Sequence, residues 1–108
     1  MDESFSVLII DIYHYDPAED YVIDGFPTFE LAKEFARRWV RDSVEELRQP
    51  GQSQDELRRL WFMFGEDASV LRGEPHYAGS HELDYFVAHP ATRDERDWQA
   101  IRTLAGMR

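Results

Sequence analysis

Residues 4–15, Ser-Phe-Ser-Val-Leu-Ile-Ile-Asp-Ile-Tyr-His-Tyr, constrain the fold more than any other stretch of the chain. β-Branched and aromatic side chains dominate them, which is the composition of a strand. One alternate face carries Leu8, Ile10 and Ile12 and ends in His14. The other carries Phe5, Val7 and Ile9, then Asp11, Tyr13 and Tyr15. A strand apolar on both faces belongs in the middle of a sheet, so a central strand is expected, with helices on one side. Asp11 is costly to bury unpaired, and the face it interrupts is expected to be the less buried of the two.

The rest of the chain follows from local signals. Asp16-Pro17-Ala18-Glu19-Asp20 has turn chemistry, and Tyr21–Phe26 reads as the return strand of a hairpin. Thr28 is a candidate N-cap for a helix over residues 29–48. There Leu31, Ala32, Phe35, Ala36, Trp39, Val40 and Leu47 recur at three- and four-residue spacing. The other face of that helix offers Glu34 with Arg38, Arg38 with Asp42 and Arg41 with Glu45, all at i,i+4. Ser53-Gln54-Asp55-Glu56 is a capping box that opens a second helix carrying Leu57, Leu60, Trp61 and Phe64 and stopping at Gly65.

Ala68–Arg72 reads as a short strand, residues 73–81 as a loop, and Glu82–His89 as a fourth strand closed by Pro90. A second capping box, Thr92-Arg93-Asp94-Glu95, opens a last helix with Trp98, Ile101, Leu104 and Ala105 inward. The order ββααββα predicts a single α+β domain over residues 1–108, a four-stranded antiparallel sheet with helices on one face.

Composition narrows the function classes. The 108 residues carry a formal charge of −10, which disfavours direct binding to nucleic acid or to an anionic membrane. With no cysteine, disulfides, thiolate zinc sites and cysteine nucleophiles drop out. The acidic start and an apolar run of only Val7–Ile10 lack the features of a secretory signal or a membrane span, and a cytoplasmic location is expected. Of the basic residues only Lys33 is lysine and the rest are arginine; a GC-rich bacterial genome or a need for guanidinium contacts would each produce that bias. The negative charge is uneven. Asp2, Glu3, Asp11, Asp16, Glu19, Asp20 and Asp24 fall in residues 1–27 with no Lys or Arg, whereas the long helix is balanced.

Two groups of residues have the chemistry of a site. Asp11, Tyr13 and Tyr15 share one strand face, with His14 beside them. His76, Tyr77 and His81 lie in one loop, with His89 at the end of the segment that follows. If the two groups converge, a small ligand site, metal site or enzyme follows. No phosphate loop, dinucleotide fingerprint or nucleophile elbow is present, and no motif requires a cofactor. The favoured expectation is a small acidic, non-enzymatic module that binds a basic protein surface or a second copy of itself as a homodimer. An acidic mimic of nucleic acid is the further alternative.

Overall fold

The computed structural model describes residues 4–13 and 20–107. Seven residues, Phe5–Asp11, form β1. Tyr21–Phe26 forms β2, Phe29–Leu47 α1, Gln54–Phe64 α2, and Glu66–Val70 β3. A 3-10 turn at Gly79–Glu82 leads into the short helix α3, Leu83–Ala88. A second 3-10 turn, Asp94–Arg96, precedes α4, Trp98–Leu104. The sheet has three antiparallel strands in the order β2-β1-β3, so β1 is central. No helix among the described residues is long and apolar enough to cross a membrane.

The expected four-stranded sheet is corrected to three strands, and the element order changes with it. Glu82–His89 is helix rather than strand. Leu83, Phe86 and Val87 are its buried residues, an i, i+3, i+4 set that only a helix turns to one side. As a strand, the segment would have put Asp84 on the same face as Phe86. Arginines from the neighbouring helices fix it. Arg48 donates from Nη2 to the Phe86 carbonyl at 3.0 Å and from Nη1 to that of Val87 at 3.1 Å. Arg41 Nη2 donates to the carbonyl of His89 at 3.0 Å. At the other end Arg37 Nε holds Glu82 at 3.0 Å, and Arg58 holds Asp84 at 3.0 Å. Guanidinium groups thus satisfy carbonyls that a helix C-terminus leaves without partners.

The helices cover the Val7–Ile9 face of β1. Val7 and Ile9 are fully buried with Ala68 and Val70 of β3, beneath Ala32, Phe35, Ala36, Val40 and Val44 of α1. This reverses the expected ranking of the two faces: the face that ends in Asp11 is the buried one, and Leu8 and Ile10 lie on the side without helices. Register explains the tolerance of Asp11. It pairs with Glu66 at the last rung of the β1–β3 ladder, at the edge of a hollow beneath the C-terminal half of α1.

β3 begins directly after Gly65, earlier than the expected Ala68, because the ladder with β1 extends to Ile10↔Asp67 and Asp11↔Glu66. Gly65 is needed there, since a Cβ would collide with the indole of Trp61. That indole is buried and donates to Ser43 Oγ at 2.8 Å.

Thr28 and Ser53 cap α1 and α2 as expected, accepting from the amides of Leu31 and Glu56. The Thr92–Glu95 box also forms, with Thr92 N donating to Glu95 Oε1 at 2.8 Å. It caps the 3-10 turn, however, and α4 is capped by Asp97, which accepts from Ala100 N at 3.1 Å. Leu104, expected inward, is 72% exposed. Arg41, expected on the solvated face of α1 with Glu45, is 2% exposed. It lies over the rings of Tyr85 and Phe86 at 5.5 and 5.2 Å and is 3.3 Å from Glu95. Glu45 pairs instead with Arg48, at 2.8 Å.

Candidate functional site

His76 and Asp11 lie on opposite faces of the sheet. Antiparallel partners share a face, so the pairing Leu8↔Ser69 puts Ser69 on the side without helices, and Asp11↔Glu66 puts Asp11 and Glu66 on the helix side. His76 belongs to the former: its Nε2 is 2.9 Å from Ser69 Oγ. The His81 ring is 5.7 Å from that of His76, and its Nδ1 accepts from Ala78 N at 3.4 Å. Tyr77 is buried and serves the fold. Its hydroxyl donates to Glu82 at 2.6 Å, and Arg37 holds the same carboxylate. Burial, together with the bond to Glu82, pushes the Tyr77 phenol well above its usual range. Tyr85 stacks on His89, with centroids 4.2 Å apart.

His14 and Tyr15 lie outside the described residues. Among the described residues no group of three or more His, Asp or Glu side chains is placed to hold a metal ion.

Asp11 and Tyr13 instead border a cleft at the end of the sheet, under the C-terminal half of α1. Asp11 Oδ1 accepts from Tyr13 N at 3.0 Å, which turns the chain out of β1. The Tyr13 ring then packs on Phe64, the last residue of α2, at 5.2 Å. Tyr13, Phe64 and Leu47 form apolar walls, and Asp11, Glu46 and Glu66 supply carboxylates around a hollow of about 210 Å³. A second hollow of about 170 Å³, bordered by Trp39, Asp42 and Trp98, shares Ser43, Glu46 and Glu66 with the first. The two hollows adjoin at these shared residues to form a cleft whose described lining holds no Lys or Arg, although Arg96 pairs with Asp42 at its edge, at 2.7 Å.

Its electrostatics reflect that composition. Burial pushes the Glu66 carboxyl above the usual carboxylate range, and the nearby charges of Asp11, Glu46 and Asp42 add to the shift; a hydrogen bond from Trp39 opposes it. Burial and the charge of Glu66 likewise raise the phenol of Tyr21. The aromatic side is held together by contacts among its own rings. Trp39 and Trp98 lie 4.5 Å apart between centroids, and Tyr21 packs edge-on against Trp39 at 6.4 Å. Trp98 Nε1 donates to Asp42 Oδ2 at 3.3 Å, so the indoles also orient the carboxylates. The chemistry on offer is recognition of a cation by paired carboxylates and aromatic surface.

Sequence patterning singles out none of Glu66, Glu46, Asp42 or Phe64 as a site residue. Glu66 is set opposite Asp11 by the register of β1 and β3, which local sequence does not specify. No family model, no curated protein and no solved structure matches this chain.

Proposed function

We propose that this chain is a non-enzymatic protein-interaction module and that its working surface is the cleft at the end of the sheet, which receives a basic segment of a protein partner. The observation that carries this reading is the lining of the cleft. Three carboxylates line one hollow beside Tyr13, Phe64 and Leu47, and an entering cation would offset both the burial that chiefly raises the Glu66 carboxyl and the repulsion from Asp11 and Glu46 that adds to it. Apolar walls next to a concentration of carboxylates match a segment with a basic side chain flanked by hydrophobic ones.

The test is titration with a short arginine- or lysine-containing peptide, read by tryptophan fluorescence and by amide chemical shifts. Asp11→Asn and Glu66→Gln are expected to weaken binding several-fold more than Glu30→Gln, which removes the same charge from the start of α1. Equal losses in all three would reduce the interaction to net charge and refute the site.

Self-association is a second reading, supported by Phe62, Met63 and Phe64, which are 51%, 56% and 44% exposed at the end of α2. Contiguous apolar surface of this kind marks interfaces. Sedimentation of the wild type against Met63→Glu decides it: a monomer at all concentrations refutes the homodimer.

A further inference from the structure

We propose that the partner segment presents an arginine and that Arg96 occupies the corresponding place in the free protein, as an internal competitor. This rests on the cleft reading above and adds the ligand's chemistry and its control. The Asp42 end of the cleft already holds a guanidinium: Arg96 Nε donates to Asp42 Oδ1 at 2.7 Å while the Trp98 indole N–H takes Oδ2. One carboxylate thus receives a planar cation and an indole donor together, beside the tilted, closely packed Trp39–Trp98 pair. An arginine fits such a place better than a lysine, because its flat fork bonds a carboxylate and lies against an aromatic face at once.

Arg96 is free to leave. Its side chain is 36% accessible and that of Asp42 23%, so the contact is open to solvent on one side. The backbone around it is anchored by other groups. Arg38 Nη1 donates to the Asp97 carbonyl at 3.2 Å, Arg41 lies 3.3 Å from Glu95, and the Thr92–Glu95 box closes the 3-10 turn. Losing the Arg96–Asp42 bond therefore leaves the segment in place and exposes Asp42, which is continuous through Ser43 with Glu46 and Glu66. An incoming arginine must displace Arg96 to use Asp42, so the resident ion pair subtracts from partner affinity.

The probe is a capped peptide alternating arginine and glycine, with its lysine counterpart, titrated against the full chain at low salt. Arg96→Gln is expected to tighten arginine-peptide binding about fivefold, the effect of removing a partly exposed competing ion pair. Arg93→Gln, an equal charge change on the exposed surface, is expected to leave it within twofold. Arg96→Lys, which keeps the charge without the fork, falls between wild type and Arg96→Gln and serves if the glutamine variant folds poorly.

The lysine peptide is expected to bind more weakly to every variant, and equal binding of the two peptides overturns the assignment of arginine. Affinity unchanged in both Arg96 variants, or raised equally by Arg93→Gln, overturns the internal competitor. If Asp11→Asn and Glu66→Gln still weaken binding in that case, the cleft reading stands by itself. If they do not, both fall.

Discussion

Replacing Arg41 removes the one fully buried cation described in the fold, and the consequence can be worked from its contacts. Its Nη2 makes a charge-assisted bond to the His89 carbonyl, worth about 1.5–3 kcal/mol. Its guanidinium lies over two rings, at about 0.5–1 kcal/mol each. Nε makes no hydrogen bond and Nη1 has only the ion pair with Glu95 at 3.3 Å, so part of the desolvation cost of the group is unrecovered, and removing the charge returns it. Arg41→Met keeps most of the volume and gains that return, so a loss of about 1–2 kcal/mol is expected. Arg41→Ala also leaves a cavity under Phe86, raising the loss to about 3–4 kcal/mol. At 4–8 °C per kcal/mol for a domain near this size, that is a fall in Tm of roughly 12–30 °C. Urea denaturation followed by circular dichroism at pH 7 measures both variants against wild type. An alanine variant within 1 kcal/mol of wild type would mean that the guanidinium does not hold α3 to α1, and a methionine variant as unstable as alanine would refute the offset from desolvation.

Glu66→Gln is expected to stabilise the fold at neutral pH by up to about 1 kcal/mol, the size of a partly exposed charge interaction. Because the folded carboxyl titrates above its unfolded counterpart, the penalty on wild type builds as pH rises from the unfolded value of about 4.3 and is complete above the raised folded one; as pH falls it shrinks, and the two proteins converge at about pH 4 and below. Urea midpoints at pH 7 and pH 4 check this, and a less stable variant at pH 7 refutes it. Gly65→Ala is expected to cost about 1–3 kcal/mol by forcing the Trp61 indole from its site, seen as a lower Tm together with a shift in tryptophan emission; an unchanged Tm would show that the contact relaxes freely. Tyr77→Phe, which strands no donor because Arg37 retains Glu82, should cost about 1 kcal/mol. It should also reduce the loss of stability above pH 10, since a phenol raised in the native state favours folding less as the unfolded one ionises. Alkaline unfolding curves that superimpose would contradict this.

The legible parts of the fold were those written in local chemistry. Thr28 and Ser53 cap where side-chain spacing placed them, and the apolar recurrence from Ala32 to Val40 marks the buried side of α1. The illegible parts depend on partners distant in sequence. Leu83, Phe86 and Val87 carry a helical spacing that is short and rich in strand formers, and the arginines that fix the segment come from positions 37, 41, 48 and 58. Arg41 illustrates the same limit, because i,i+4 spacing favours Glu45 while tertiary packing assigns it the rings of α3. Of the candidate site, Asp11 was visible as a discordant carboxylate and Tyr13 as its neighbour. Glu66 becomes meaningful only when strand register sets it opposite Asp11. The histidine loop is the weaker signal, because spacing within a glycine-containing loop fixes no geometry, and the pleat separates His76 from Asp11 because Ser69 and Glu66, three residues apart on β3, point to opposite faces.

The arginine contacts to α3 also bear on the order in which the chain folds. Six residues are too few to sustain a helix alone, and the donors that satisfy its last carbonyls lie 38 to 48 positions earlier in the chain. α3 therefore forms only after α1 offers a finished surface, which places it late in folding and first in unfolding. Amides of residues 83–88 should exchange with solvent through local openings well below the global unfolding energy, while those of β1 and α1 wait for the whole molecule to open.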